Sequence, residues 1–340
     1  MAERESLDAV ATVVQRLAAL LAAGIAPVSA WGYLAESFEL ASAPGDGACT
    51  GGERKPGRAS STRGAGRAVT EHTVGVTAAL AGTMPIAEAV LEAAEGVATP
   101  RRGSAQAHSG LAWRGLAAAW LVATESGAPL APSLRGLANS LRDLSETQRE
   151  IEVALAGPAA TAKFVTVLPI VGILFGLGLG FDTLGTLVGT VPGVMCLVFG
   201  VGLMLAARAW NRRLLHSATP KDPTPGLSLE LLAIAVSGGA SLDRARQAVA
   251  DALDRCGLDA TGDEDGVLEL SRRAGVPAGL LLRSEAEQTR RGARSDARRK
   301  AASLSVTLMI PLGVCVLPAF LLLGVAPLMI AVLSSTAGSF

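Results

Sequence analysis

Apolar residues recur at helical spacing from the start of the chain. Leu7, Val10, Val14, Leu17 and Leu21 fall three or four apart, which predicts a helix ended by Gly24, with a second run beginning near Pro27. The same spacing predicts helices over 71–80, 85–94, 111–125 and 131–156. Pro85 and Pro129 stand at first-turn positions, where a missing N–H costs little. After a polar, proline-containing stretch at 216–225 the pattern restarts. Helices are expected over 227–236, over 241–256 with Ser241 as N-cap, over 266–274, and in a long run from Pro277. No stretch alternates as a strand does. Residues 41–70 are dense in Gly, Ser and Arg and poor in large apolar groups, and are expected as a flexible insertion.

Two blocks break this amphipathic rhythm. Between Lys163 and Arg208 lie 44 residues with one charge, Asp182, and the 40 residues from Ala301 to Phe340 have none. A bilayer core needs about 20 apolar residues per helix, so the first block predicts a hairpin of two spans, 164–181 and 187–207, joined at 182–186. A carboxylate at mid-bilayer costs roughly 2.5–3.5 kcal/mol, which places Asp182 in the turn. A third span is expected within 304–333, where Pro311, Pro318 and Pro327 predict kinks; a re-entrant turn is the alternative. A wholly soluble chain is excluded, and so is one that spans the membrane from end to end. Lys163 before the hairpin and Arg208, Arg212, Arg213 and Lys221 after it place both polar regions, and the N-terminus, in the cytoplasm. The chain is thus expected as a multi-pass protein of the cell (inner or plasma) membrane.

Small residues recur every fourth position in the hairpin, at Gly172, Gly176 and Gly180 and again at Gly185, Gly189 and Gly193. This spacing permits close helix contact, either within the hairpin or between chains. Catalytic chemistry is missing. Cys49, Cys196, Cys256 and Cys315 are far apart, as are His72, His108 and His216, and none of the four lysines follows a phosphate-binding glycine loop. No enzyme activity, cofactor or metal is expected; Asp263, Glu264 and Asp265 read as a solvated turn. Arg290, Arg294 and Arg298 share one helix face beside Arg291 and Arg299. That face reads as a topology signal and lipid-headgroup anchor, worth about 1 kcal/mol per residue, or as a dock for an acidic partner. Nucleic acid is not expected as a partner, since no aromatic residue interleaves.

Ser126-Gly-Ala-Pro-Leu130 matches Ala274-Gly-Val-Pro-Ala278, and each opens a long helix feeding an apolar block: a duplicated unit of helices plus span. The strings AAGIAPVSAW, AGTMPIAEAV, SGGASLDRAR and ESGAPLAPSLRGLANSLRDLSETQREIEVALAG resemble the helical repeats of the type II secretion system F family. That family comprises inner-membrane platform proteins of type II secretion, type IV pili and tight-adherence (Flp) pili. The resemblance covers most of the chain outside 41–70, and the composition is most similar to actinobacterial tight-adherence members. It implies an all-α integral membrane protein with two cytoplasmic helical-bundle units, 1–160 and 227–300. A hairpin over 164–207 and a linker over 208–226 separate the units, and a C-terminal span follows within 304–333.

The implied function is a platform that couples a separate cytoplasmic secretion or pilus ATPase to assembly of pilin subunits, with self-association or a paralogous platform subunit as a further contact. Position near the duplicated turns makes Glu125, Gly127, Pro129, Arg135, Gly275 and Pro277 candidate partner-binding residues, together with Arg290, Arg294 and Arg298. The alternative is a membrane transport component whose pathway is lined by the glycine-rich spans.

Overall fold

The computed structural model describes residues 2–42, 60–96, 105–178, 185, 189–218, 224–260, 262–307, 309–327 and 329–330, and every regular element among them is helical. In order these are α1 (Ala2–Ala22), α2 (Pro27–Ser42), α3 (Ser60–Leu80), α4 (Ile86–Glu95), α5 (Ala105–Ser126) and α6 (Leu130–Gly178). They are followed by α7 (Val191–Ala218), α8 (Leu227–Ser237), α9 (Leu242–Cys256), α10 (Glu264–Ala274), α11 (Ala278–Thr307) and a helical segment over 309–327. The chain divides into two units. One comprises Met1–Arg149 with Lys221–Ser295, the other Glu150–Pro220 with Asp296–Phe340.

At the centre of the first unit lies α8. Its Leu227, Leu229, Leu231, Leu232, Ala233, Ile234 and Ala235 are all buried, and a helix apolar around most of its circumference, with Glu230 its one charge, sits in a core. Beside it packs α5, which also meets α1, α4 and α9. Runs of alanine in α5, including the buried Ala117, Ala118, Ala119 and Ala123, let neighbouring helices approach closely, while Trp113 and Leu116 fill the remaining space. Trp113 meets Trp31 of α2 with ring centroids 6.4 Å apart at 39°, a tilted pairing worth about 0.5–1.5 kcal/mol beyond burial. Residues 1–160 and 227–300, expected as separate units, supply side chains to this one buried cluster.

Several boundaries differ from the sequence expectation. α3 begins at Ser60, so 60–70 of the expected insertion is helical; 43–59 lie outside the described residues. The buried stripe of α3 is Thr70, Thr73, Val74 and Thr77, continued by Ala81 just past its end. Threonines hide this face from a search for large apolar groups, and Thr73 returns its hydroxyl to the Val69 carbonyl at 2.9 Å. α7 continues through Ala218, so 208–218 is helix rather than linker, consistent with the absence of Pro and Gly between Arg208 and Ala218. Ser241 has the extended backbone of an N-cap but makes no capping bond. Asp263 does cap, accepting from the Gly266 amide at 3.0 Å, a role typically worth about 1 kcal/mol.

Among the described residues two helices are long and apolar enough to cross a membrane, Val191–Asn211 in the second unit and Ala278–Val325, which begins in the first unit and ends in the second. Of the expected first span, 164–181, the part through Gly178 is helical as the end of α6. The terminal segment contains two π-helical turns, Leu312–Val316 and Leu321–Val325. A proline lacks an N–H and its ring crowds the carbonyl four residues back. For Pro318 and Pro327 those carbonyls belong to Val314 and Leu323, each at the middle of a widened turn. The prolines are thus accommodated without breaking the helix.

Candidate functional site

The two duplicated turns are built alike. Gly127 and Gly275 hold φ of +73° and +65°, left-handed values that glycine adopts without a Cβ penalty. Each is followed, two residues on, by a proline and then by a long helix, α6 or α11. The turns are 148 residues apart, and this spacing carries into the helices. Leu134 and Leu282 are equivalent and fully buried, as are Ala138 and Ala286.

Charged pairs then join α6 to α11 at equivalent positions. Glu146 meets Arg294 at 3.3 Å in the first unit, and Glu150 meets Arg298 at 2.5 Å in the second, both pairs again 148 residues apart. A duplication that pairs with itself in register would face like charge with like. Segregating acids to α6 and arginines to α11 turns that repulsion into attraction.

One turn earlier the arrangement involves a third helix. Arg290 donates to Glu230 of α8 at 2.6 Å, and Ser140 of α6 donates to the same carboxylate oxygen at 3.2 Å. Only 15% of the Arg290 side chain and 12% of the Glu230 side chain is exposed. Losing one partner from such a pair strands a buried charge. Gly136 makes the approach possible, because a Cβ there would collide with the Glu230 carboxylate. A cavity of about 30 Å³ adjoins the pair, lined by Leu111, Gly115, Leu141 and Leu144 as well as Ser140, Glu230 and Arg290. The contacts 140–230–290 and 146–294 ascend both helices together, so α6 and α11 run parallel within this unit.

The first turn is partly covered. Gly238, between α8 and α9, stands so close to the Ser126 carbonyl and the Ala128 amide that any side chain would strike backbone. Nearby Arg255 of α9 bridges Glu88 at 2.9 Å and Glu125 at 3.8 Å. The adjoining Cys256 is buried, and burial pushes its thiol up to about 11, against the smaller lowering effects of the Arg255 and Arg114 guanidiniums. Pro129, Arg135, Gly275 and Pro277 are exposed.

Of the candidates from sequence, Arg290, Arg294 and Arg298 are therefore brought together as one face, and that face is engaged by glutamates of the same chain. Glu125 and Gly127 flank the covered first turn. Gly172 and Gly176 lie within α6, Gly180 is outside the described residues, and Gly185 and Gly189 are exposed. Gly193 is buried, but the stripe it belongs to is Gly193, Gly200 and Ala207, seven apart. A Cβ on Gly200 would lie 2.5 Å from Leu323 Cγ in the terminal segment. Ser140, Glu146, Glu150, Glu230 and Gly200 were not singled out by sequence. Shifting Glu146 and Glu150 by the repeat spacing lands on Arg294 and Arg298, which is the signal that could have found them. Among the described residues no group of three or more His, Cys, Asp or Glu side chains could hold a metal ion. No protein-family model matches the chain, and no curated protein or solved structure matches it significantly.

Proposed function

We propose that the chain is a platform subunit of a pilus-assembly or type II-like secretion machine, seated in the cell membrane with its N-terminus in the cytoplasm. In this reading the first unit is cytoplasmic, and spans at 164–181, 187–207 and within 304–333 anchor it. A separate ATPase supplies the energy and pilin subunits are the load.

The observation that carries the reading is the in-register pairing of α6 with α11. Each helix starts at a copy of the same turn and continues into an apolar block. A displacement of the first unit would thereby reach two membrane segments through stiff elements. A supporting observation is the exposure of large apolar side chains on α7 and the terminal segment: Met195, Val198, Phe199, Leu205, Met309, Val314 and Leu317 are each more than half exposed. Water would penalise such a surface and lipid would not. The alternative, a transport component with a pathway lined by the glycine-rich spans, calls for open glycine faces, whereas Gly200 packs against Leu323.

Deletion of the gene tests the proposal. Loss of pilus or secretion output, restored by the wild-type chain, is the expected result; unchanged output would remove the platform reading.

A further inference from the structure

We infer that the second duplicated turn, Gly275-Val276-Pro277, docks the α3–α4 turn of a second copy of this chain. The inference rests on the internal repeat and is independent of the platform reading.

Helix α10 reproduces the end of α5 at the repeat spacing. Ala119, Trp120 and Ala123 are buried, and so are their equivalents Val267, Leu268 and Ser271. Two equivalent pairs part company. Val122 is 0% exposed but Leu270 is 56% exposed, and Ala128 is 7% exposed but Val276 is 38% exposed. Leu280, in the first turn of α11, adds another bare apolar side chain. The second copy of the turn thus keeps apolar residues where the first copy buries them, yet leaves them in the open. Covering such area favours association.

What covers the first turn identifies what fits the second. The α8–α9 hairpin lays Gly238 on the backbone of the first turn, and Arg255 of α9 reaches Glu125 beside it. The first half of the chain has a matching hairpin, α3–α4, whose turn carries Gly82 and Pro85. Gly82 is exposed, and its backbone lies outside the left-handed region. A Cβ there would meet nothing within 4 Å. Among the described residues nothing crowds that position, which leaves the turn open to close approach by another chain.

Charge agrees with this occupant. The position of Glu125 is taken in the second copy by Arg273, with Arg272 next to it; both are exposed and share a single carboxylate, Glu269, at 2.8 and 3.3 Å, so the pair of arginines keeps a net positive charge. Where α9 offers Arg255 near its C-terminal end, α4 offers the exposed Glu92 and Glu95. The exposed Glu92 and Glu95 of α4 are thus opposite in sign to Arg272 and Arg273 of the second turn. Exchange between two copies would place each α3–α4 turn on the other's second turn, which gives a closed two-fold dimer.

Two differently tagged full-length chains, with the four native cysteines replaced by alanine, test this directly. One carries Gly82→Cys and the other Val276→Cys. Oxidation in native membranes should give a disulfide joining the two tags, while a Leu40→Cys chain paired with Val276→Cys should give none. Native mass measurement of the otherwise unaltered chain in detergent should show a dimer. Leu280→Asp or Arg273→Glu should each convert it to monomer, and adding Glu92→Arg and Glu95→Arg to Arg273→Glu should restore the dimer. Leu280, Arg273, Glu92 and Glu95 are exposed, so their substitution leaves the core intact. A monomeric wild type, a dimer indifferent to Leu280→Asp, or a disulfide formed only to an unrelated protein would overturn the inference.

Discussion

Glu146 on α6 and Arg294 on α11 occupy equivalent positions of a duplicated helix and pair with each other at 3.3 Å. Glu146 is 61% exposed, and exposed pairs contribute roughly 0.2–1 kcal/mol, so the pair sets register more than it sets stability. Glu146→Arg or Arg294→Glu should each lower the melting temperature slightly, and the double exchange should restore it. A double exchange no better than the sum of the single changes would show that the two side chains do not interact.

The buried pair behaves differently. Glu230→Ala leaves Arg290 without its partner inside the first unit, and such losses cost about 3–5 kcal/mol. Chemical denaturation of the full chain should show a large fall in midpoint. Ser140→Ala removes one neutral donor to the same carboxylate and should cost roughly 1 kcal/mol.

Glycine substitutions separate close contacts from open ones. Gly238→Ala drives a methyl group into the backbone of the first turn and should destabilise by about 1–3 kcal/mol or more. Gly82→Ala should leave monomer stability within about 0.5 kcal/mol. In the second unit Gly200→Leu should disturb the contact with Leu323, while Gly189→Leu, at an exposed position, should not; thermal stability in detergent distinguishes them.

Cys256 gives a pH signature. Its thiol is held protonated by burial up to about pH 11, from an ordinary value of 9.0. The raised value means that its contribution to stability is complete below pH 9 and is lost as pH rises toward 11. Alkylation at pH 8 should therefore modify Cys256 far more slowly in the native protein than in the protein unfolded by denaturant. Equal rates would show that Cys256 is open to solvent.

Local pattern was enough for much of this architecture. Leu7 to Leu21 announces α1, and the glycine–proline turns announce the starts of α6 and α11. The stripe in α3 was hidden because Thr70, Thr73 and Thr77 do not read as apolar. Seven-residue spacing concealed Gly200 and Ala207 among the glycines that recur every fourth position. The basic face of Arg290, Arg294 and Arg298 was legible as a face, but its occupants were not, because Glu230, Glu146 and Glu150 come from helices distant in sequence. Only the repeat spacing connects two of those pairs, and it connects them through opposite charges where a repeat search looks for identity.

In the proposed platform the paired helices of the first unit receive force from a separate ATPase and deliver it to the membrane. The most direct measurement is co-sedimentation of the purified cognate secretion ATPase with proteoliposomes holding the full chain. The first unit should bind it, and charge reversal at Glu125 and Arg135 together should weaken the binding. If orientation-checked proteoliposomes displaying the first unit never retain the ATPase, with or without nucleotide, the claim is contradicted.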